Sequence, residues 1–163
     1  MKPAAQPIAL TLLSLSLGTA ATLGALPQLR AAEPHHTVVQ GDAVTWGPAP
    51  PSLPPGAHAA VLLGNPAQEG PFVLRLKFPA GFTVPPHRHS KDELVTVISG
   101  RFAIAAGEKL DRAKAKPLSP ASFVHLPAGM AHYAWADGEA VVQINGTGPF
   151  DVTYIDPKDD PRK

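Results

Sequence analysis

Apolar and polar residues alternate over short stretches of this chain, and glycine or proline ends most of these stretches. The clearest case is residues 72–78, FVLRLKF, where phenylalanine or leucine occupies every second position. Such a period of two is typical of a β-strand with one buried face. The same criteria predict further strands over residues 37–40, 59–63, 93–99, 101–106, 123–126, 131–136, 140–145 and 150–155.

Turn signals separate these stretches at short intervals. About eight or nine strands spaced in this way are typical of a sandwich or jelly roll. The chain has 163 residues, 20 of them proline and 14 glycine, which suits one domain of turns and strands. We therefore predict an all-β fold of the sandwich or jelly-roll type, followed by a polar tail over residues 158–163 that frays.

Candidate metal ligands are concentrated in residues 81–100, GFTVPPHRHSKDELVTVISG. His87 and His89 are two positions apart, so an extended strand points both imidazoles to one face. Glu93 follows after a short polar turn that can bring its carboxylate back towards them, and His132 is a fourth candidate later in the chain. Nitrogen and carboxylate oxygen together suit a divalent transition metal, with Mn or Fe favoured and Zn, Ni, Co or Cu as alternatives.

The spacing of this stretch resembles the first conserved motif of the cupin superfamily. Every defined position of that motif is matched, by Gly81, His87, His89, Glu93 and Gly100. A second cupin motif is matched in part by Pro127, Gly129 and His132. Two positions depart from that motif, because Ala121 replaces its first glycine and Ala136 replaces its asparagine.

The resemblance covers residues 59–157 and implies that they form a double-stranded β-helix, or jelly-roll barrel, with one metal inside one end. It implies His87, His89, Glu93 and His132 as the ligands and assigns no catalytic residue beyond them. The alternative is a cupin pocket that no longer holds metal.

Charge and cysteine content exclude several other classes of function. A formal net charge of +1 gives no reason to expect nucleic acid or an anionic surface as a partner. The absence of cysteine excludes disulfides, a thiolate nucleophile and Cys-bound zinc. A metal in this protein must therefore be held by nitrogen and oxygen.

Residues 1–32 are interpreted as a secretory signal peptide that is removed. Lys2 precedes an apolar run, IALTLLSLSL, which has the length of a signal-peptide core and is too short to span a bilayer as a helix. Cleavage after Ala20 or after Ala32 fits, and Ala32 is preferred because polar sequence begins there. We expect a periplasmic or secreted protein without a stable membrane anchor, with an uncleaved anchor as the alternative.

Residues 33–58 are interpreted as a proline-rich arm, with Trp46 packed against the barrel. His35, His36 and His58 are interpreted as solvated side chains rather than ligands. On the strand of His132, alternation places Ala134 and Ala136 beside the metal, where they leave room for a ligand. Four further polar residues have both a site-related and a surface interpretation: His125, Arg101, Gln143 and Tyr154.

The expected function is that of an exported cupin that binds or acts on a small oxygenated organic molecule. As an enzyme it would be a metal-dependent dioxygenase, decarboxylase or isomerase, activities among which the resemblance does not choose. The alternative is a non-catalytic module that binds a small molecule or stores metal. Cupins resemble one another in often pairing through edge strands, so a homodimer is expected.

Overall fold

The computed structural model describes residues 35–163, and the signal peptide expected over residues 1–32 lies outside this range. Strands dominate the described residues, and every strand pair is antiparallel. In chain order the strands are β1 (Gly47–Pro48), β2 (His58–Leu63), β3 (Gly70–Phe78), β4 (Thr83–Arg88), β5 (Glu93–Ser99), β6 (Phe102–Ala106), β7 (Phe123–Leu126), β8 (His132–Ala136), β9 (Ala140–Gly148) and β10 (Thr153–Tyr154).

The strands form two sheets. The larger has the order β1-β2-β3-β9-β5-β7, and the smaller has the order β10-β4-β8-β6. Strands distant in the chain lie side by side in both sheets, as in a jelly roll. The predicted all-β barrel is therefore confirmed.

The core lies between the two sheets and follows from the alternation in the sequence. In β3, Phe72, Leu74, Leu76 and Phe78 are buried, while the residues between them are half-buried. Each such side chain contributes roughly 1.5–3 kcal/mol when it is fully removed from water. The neighbouring strand β9 pairs with β3 along the whole length of both strands, so its inward residues join the same core.

Strand β8 is buried on both faces. Ala134 and Ala136 belong to the core between the sheets, whereas Tyr133 and Trp135 form a second cluster on the opposite face. The alternation predicted for this strand is therefore confirmed. Small alanines on the inner face leave space beside His132.

Two predicted strands differ in the structure. Residues 37–40 form no strand, because they are exposed and pair with no other segment within residues 35–163. Residues 150–155 contribute only the two-residue strand β10. At Asp151 the main-chain carbonyl and the carboxylate bind His89 and Ser90 instead of extending the ladder.

The arm and the tail are both attached to the barrel. Trp46 is half-buried and lies 4.9 Å from the Lys77 ammonium, as expected of a residue that packs against the barrel. In the tail, the Arg162 guanidinium donates a hydrogen bond of 2.9 Å to the Val152 carbonyl. Within residues 35–163, no helix has the length and apolar character needed to cross a membrane.

Candidate metal centre

The four candidate ligands come from both sheets. His87 in β4 and His132 in β8 are register partners in the smaller sheet, and His89 follows directly after β4. Glu93 begins β5 in the larger sheet. All four are buried, with exposed fractions between 2% and 6%. The structure thus brings the four residues together at one place between the sheets.

Each imidazole is oriented by a main-chain carbonyl. The Nδ1 atoms of His87, His89 and His132 lie 2.7, 2.5 and 3.0 Å from the carbonyl oxygens of Pro85, Asp151 and Met130. Because a carbonyl can only accept, each Nδ1 carries a hydrogen and donates it. In the neutral ring the lone pair then lies on Nε2, the arrangement typical of histidines that bind metal.

The remaining nitrogen atoms converge. One ligand atom from each of the three histidines lies within 4.8 Å of the other two. The Nε2 atoms of His89 and His132 each lie 3.3 Å from Oε2 of Glu93. Ligand atoms about 2.1 Å from one ion are separated by about 3.0–3.4 Å at octahedral or tetrahedral angles. The carboxylate and these two imidazoles therefore have the spacing of atoms that share an ion.

One buried atom at this site lacks the partner it needs. Nε2 of His89 is inaccessible to water, and although Oε2 of Glu93 lies 3.3 Å away, Nε2 makes no hydrogen bond of normal geometry with any residue in the range 35–163. Buried polar groups nearly always have a partner, and an ion is one explanation for an exception. This observation fits the donor set to a divalent metal.

The charge states at neutral pH also suit a metal. Burial and the neighbouring His132 and His89 lower the pKa of His87 to about 3, so its ring is neutral. Burial raises the pKa of Glu93, but the adjacent His132 and His89 outweigh this effect and lower it to about 2. For His89, burial lowers the pKa, but the Glu93 carboxylate and the Asp151 carbonyl have the larger, opposite effect. The pKa of His89 is therefore raised above its usual value. The site thus offers a neutral imidazole and an ionised carboxylate.

Two aromatic residues support the histidines. The Phe150 ring stacks on the His89 ring, with centroids 4.2 Å apart and planes 15° apart. The Tyr154 ring lies 5.9 Å from that of His87, and its hydroxyl donates a hydrogen bond of 2.7 Å to the Ser52 carbonyl. Phe150 was missed by sequence reasoning, because its position beside His89 depends on a contact between distant segments. Tyr154 was considered, and its hydroxyl is directed to the arm.

The other polar candidates lie at the surface. His125 is exposed and donates to the Asp92 carboxylate at 2.9 Å, and Arg101 pairs with Asp137 at 3.5 Å. Gln143 accepts a hydrogen bond of 3.1 Å from Arg75. Its neighbours in β9 point into the core, so Gln143 lies on the outer face. The histidines at positions 35, 36 and 58 are exposed, as expected of solvated side chains.

A cavity of about 200 Å³ opens beside the four candidate ligands. Its walls include the arm at Pro50, Ser52 and Leu53 and the loop between β2 and β3 at Pro66 and Ala67. The candidate metal site therefore has adjoining space for a small molecule. The role of the arm as a cavity wall was not predicted.

Several solved structures share this fold. A proposed acetylacetone dioxygenase from Methylibium petroleiphilum is 19% identical, with a TM-score of 0.61 over 82% of this chain and 90% of that one. The polyketide cyclase RemF from Streptomyces resistomycificus is 14% identical, with a TM-score of 0.60 over 78% and 90%. An RmlC-like cupin from Shewanella frigidimarina is 14% identical, with a TM-score of 0.54 over 70% and 91%. At these identities the likeness shows the fold alone.

The two-sheet barrel and these neighbours show that the protein has the cupin fold. A family model described as "Domain of unknown function (DUF4437)" matches residues 37–160, and the chain belongs to that family. A comparison with curated protein sequences finds no match.

Proposed function

We propose that this cupin holds one divalent transition metal with His87, His89, His132 and Glu93 and uses it to transform a small oxygenated organic molecule. One observation carries the proposal. Three buried imidazoles have Nδ1 committed to main-chain carbonyls, which leaves their Nε2 atoms for an ion beside a buried carboxylate. Mn or Fe is the favoured metal, as the donor set of nitrogen and oxygen suits either ion.

The chain's own residues hold the ion, balance its charge and exclude water. A bound metal would supply Lewis acidity or a dioxygen-binding centre. Glu93 would contribute the anionic donor, and imidazoles that bind the ion through Nε2 would add no charge. Among the described residues that line the cavity, the four site residues are the only titratable ones.

Dioxygen chemistry is the first activity to test. The Methylibium neighbour is a proposed dioxygenase, and the Streptomyces neighbour is a cyclase. Both resemble this chain in fold at low identity, so they suggest assays rather than a substrate.

Metal content tests the proposal directly. Protein purified without chelators or a nickel column should contain close to one divalent ion per chain by elemental analysis. His87→Ala and His132→Ala should each lose most of it, because each removes a donor. His58→Ala is the matched control, since His58 is exposed in β2. Equal metal content in all three variants would overturn the assignment.

A non-catalytic binding module is the second candidate. It is favoured by the same cavity lining, which offers no general acid or base among residues 35–163 apart from the four site residues. Oxygen uptake by metal-loaded protein with diketones, diols, flavonols and thiols separates the two candidates. Uptake that disappears in His132→Ala supports the enzyme, and ligand binding without uptake supports the module.

The proposal also places the protein outside the cytoplasm, in the periplasm or secreted. It rests on the apolar run before residue 32 and the polar sequence after it. N-terminal sequencing of protein from the extracytoplasmic fraction should find a chain that begins near Glu33 or Ala21. A mature chain that still begins at Met1 would contradict it.

A further inference from the structure

The cavity beside the metal centre is lined almost entirely by apolar side chains. Apart from the four site residues, Ser52 is the only polar residue among the described residues that form its walls. The remaining walls are aliphatic, phenylalanine and proline side chains from both sheets, the arm and the loop between β2 and β3. A ligand that reaches the metal must therefore lie in an apolar environment along the rest of its length.

Apart from the proposed metal, no cationic side chain among the described residues lines the cavity to pair with a charged ligand. Within residues 35–163, neither lysine nor arginine lines the cavity. The two basic residues nearest in sequence to the histidines are committed elsewhere. Arg88 donates to the Gly129 carbonyl and pairs with Glu108, and Lys91 donates to the Gly148 carbonyl. Since a charge buried without a partner is costly, an anionic group remote from the metal would be strongly disfavoured.

The arm completes this apolar enclosure. Leu53 is half-buried and packs against the core, and Pro50 and Ser52 lie beside it in the cavity wall. The Tyr154 hydroxyl fixes the arm through its bond to the Ser52 carbonyl. This bond also commits a hydroxyl that could otherwise be offered to a ligand. A cavity of about 150 Å³ lined by apolar side chains accommodates benzene, so the 200 Å³ present here can hold a ring.

We propose that the ligand of this cavity is an uncharged, largely apolar molecule that carries its metal-binding oxygen atoms at one end. The proposal rests on the metal-dependent function above and deepens it. It excludes small dicarboxylates, sugar acids and phosphorylated compounds as ligands. Selection comes from the walls, since the metal centre itself would accept oxygen donors from any of these classes.

A matched pair of probes tests the selection. The probes are 4-isopropylcatechol and 3,4-dihydroxybenzoate, which share the same metal-binding pair of hydroxyl groups. They differ at the remote end of the ring, where the first carries a neutral isopropyl group and the second an anionic carboxylate of similar shape. Binding of each to Zn²⁺-loaded protein is measured by isothermal titration calorimetry, because Zn²⁺ has no redox chemistry and prevents turnover. The neutral probe should bind at least about tenfold more tightly, given the cost of burying the carboxylate.

A pair of variants locates the effect. Leu53→Lys places a cation in the cavity wall and should reduce or reverse the preference for the neutral probe. Leu63→Lys makes the same change at an exposed position outside the cavity and should leave the preference unchanged. Equal changes in both variants would show that net charge, rather than the cavity, governs binding.

The outcomes separate this proposal from the one it rests on. If Zn²⁺ does not bind the wild-type protein in a 1:1 ratio, the metal-dependent function fails. If Zn²⁺ binds but the anionic probe binds as tightly as the neutral one, or neither probe binds, the inference about the ligand is wrong while the metal centre stands.

Discussion

His87 and His132 lie directly opposite each other on β4 and β8, and their ring centroids are 4.2 Å apart. The two residues belong to different sequence motifs, and antiparallel pairing places them side by side. The pairing is irregular between Val84 and His87, where Pro85 and Pro86 cannot donate to the ladder. One edge of the candidate metal centre is therefore set by strand register, so its geometry depends on the correct pairing of this sheet.

Glu93→Gln tests the need for an anionic donor. The substitution keeps the shape of the side chain but removes its negative charge. Changing a residue that only hydrogen-bonds to a metal ligand already lowers metal affinity by about tenfold or more, so loss of the anionic ligand itself should lower it by more than roughly tenfold. Competition with a chromophoric chelator measures this affinity. Glu139→Gln is the control, because Glu139 is exposed near β9. An unchanged affinity in Glu93→Gln would show that Glu93 does not bind the metal.

The metal-free protein should lose stability as pH falls below about 6.5. The pKa of His87 is lowered from 6.5 to about 3 by burial, His132 and His89. Between these values the unfolded chain takes up a proton that the folded protein does not, so the free energy of unfolding decreases as pH falls. Glu93 acts in the same direction below pH 4.5, because its pKa is also lowered in the folded protein.

His89 does not offset this decrease in the free energy of unfolding below about pH 6.5. Its raised pKa contributes stability that is fully present below pH 6.5 and is lost above it. Urea unfolding of chelator-treated protein between pH 7 and 4.5 measures the slope. His87→Gln should make the slope shallower, and a wild-type slope of zero or opposite sign would contradict the prediction.

Ala121→Gly should stabilise the protein. Ala121 has φ of 71°, in the left-handed region, at the position where the second cupin motif has glycine. That conformation costs alanine about 1–2 kcal/mol, whereas glycine adopts it freely and loses about 0.4–1 kcal/mol through the greater freedom of the unfolded chain. The net gain in the free energy of unfolding, measured by urea denaturation, should be about 0.8 kcal/mol and at most about 1.6 kcal/mol.

Ala80→Gly is the matched control for this prediction. Ala80 is also an exposed turn residue, but it is not among the described residues with positive φ. The Ala80→Gly variant should be less stable than the wild-type protein, because glycine gives the unfolded chain more freedom and relieves no strain at this position. Stabilisation of both variants would show that the left-handed conformation of Ala121 is not the cause.

Tyr154→Phe should loosen the arm and weaken ligand binding. The substitution removes the hydrogen bond to Ser52 and should lower the free energy of unfolding by about 1 kcal/mol. Tyr133→Phe removes a bond of 2.9 Å to the Asp111 carbonyl, on the face of β8 away from the cavity. Both variants should lose similar stability, but only Tyr154→Phe should weaken 4-isopropylcatechol binding to Zn²⁺-loaded protein. Equal binding in both would show that the arm does not shape the cavity.

Local patterns predicted the strands well where burial alternates along the chain. The bounds of β5 and β7, Glu93–Ser99 and Phe123–Leu126, agree with the prediction, because each is bordered by turn residues. The shared face of His87 and His89 and the inward alanines of β8 also follow from a period of two. These features depend on neighbouring residues only, so sequence reasoning reaches them.

Contacts between distant segments could not be predicted in this way. The Asp151 carbonyl that orients His89 is 62 positions from it, and the arm reaches Tyr154 from 102 positions away. Residues 150–155 alternate like a strand, yet the bonds made by Asp151 interrupt the ladder. Residues 37–40 have strand propensity but no partner among the described residues. Propensity alone does not supply the pairing that a strand requires.

The carbonyls that orient the three imidazoles belong to the main chain, not to side chains. Replacing Pro85, Met130 or Asp151 by another amino acid would still leave an oxygen at each of these positions. The backbone path therefore determines which ring nitrogen carries the hydrogen. Substitutions at these three positions should leave Nε2 of each histidine directed to the candidate metal site.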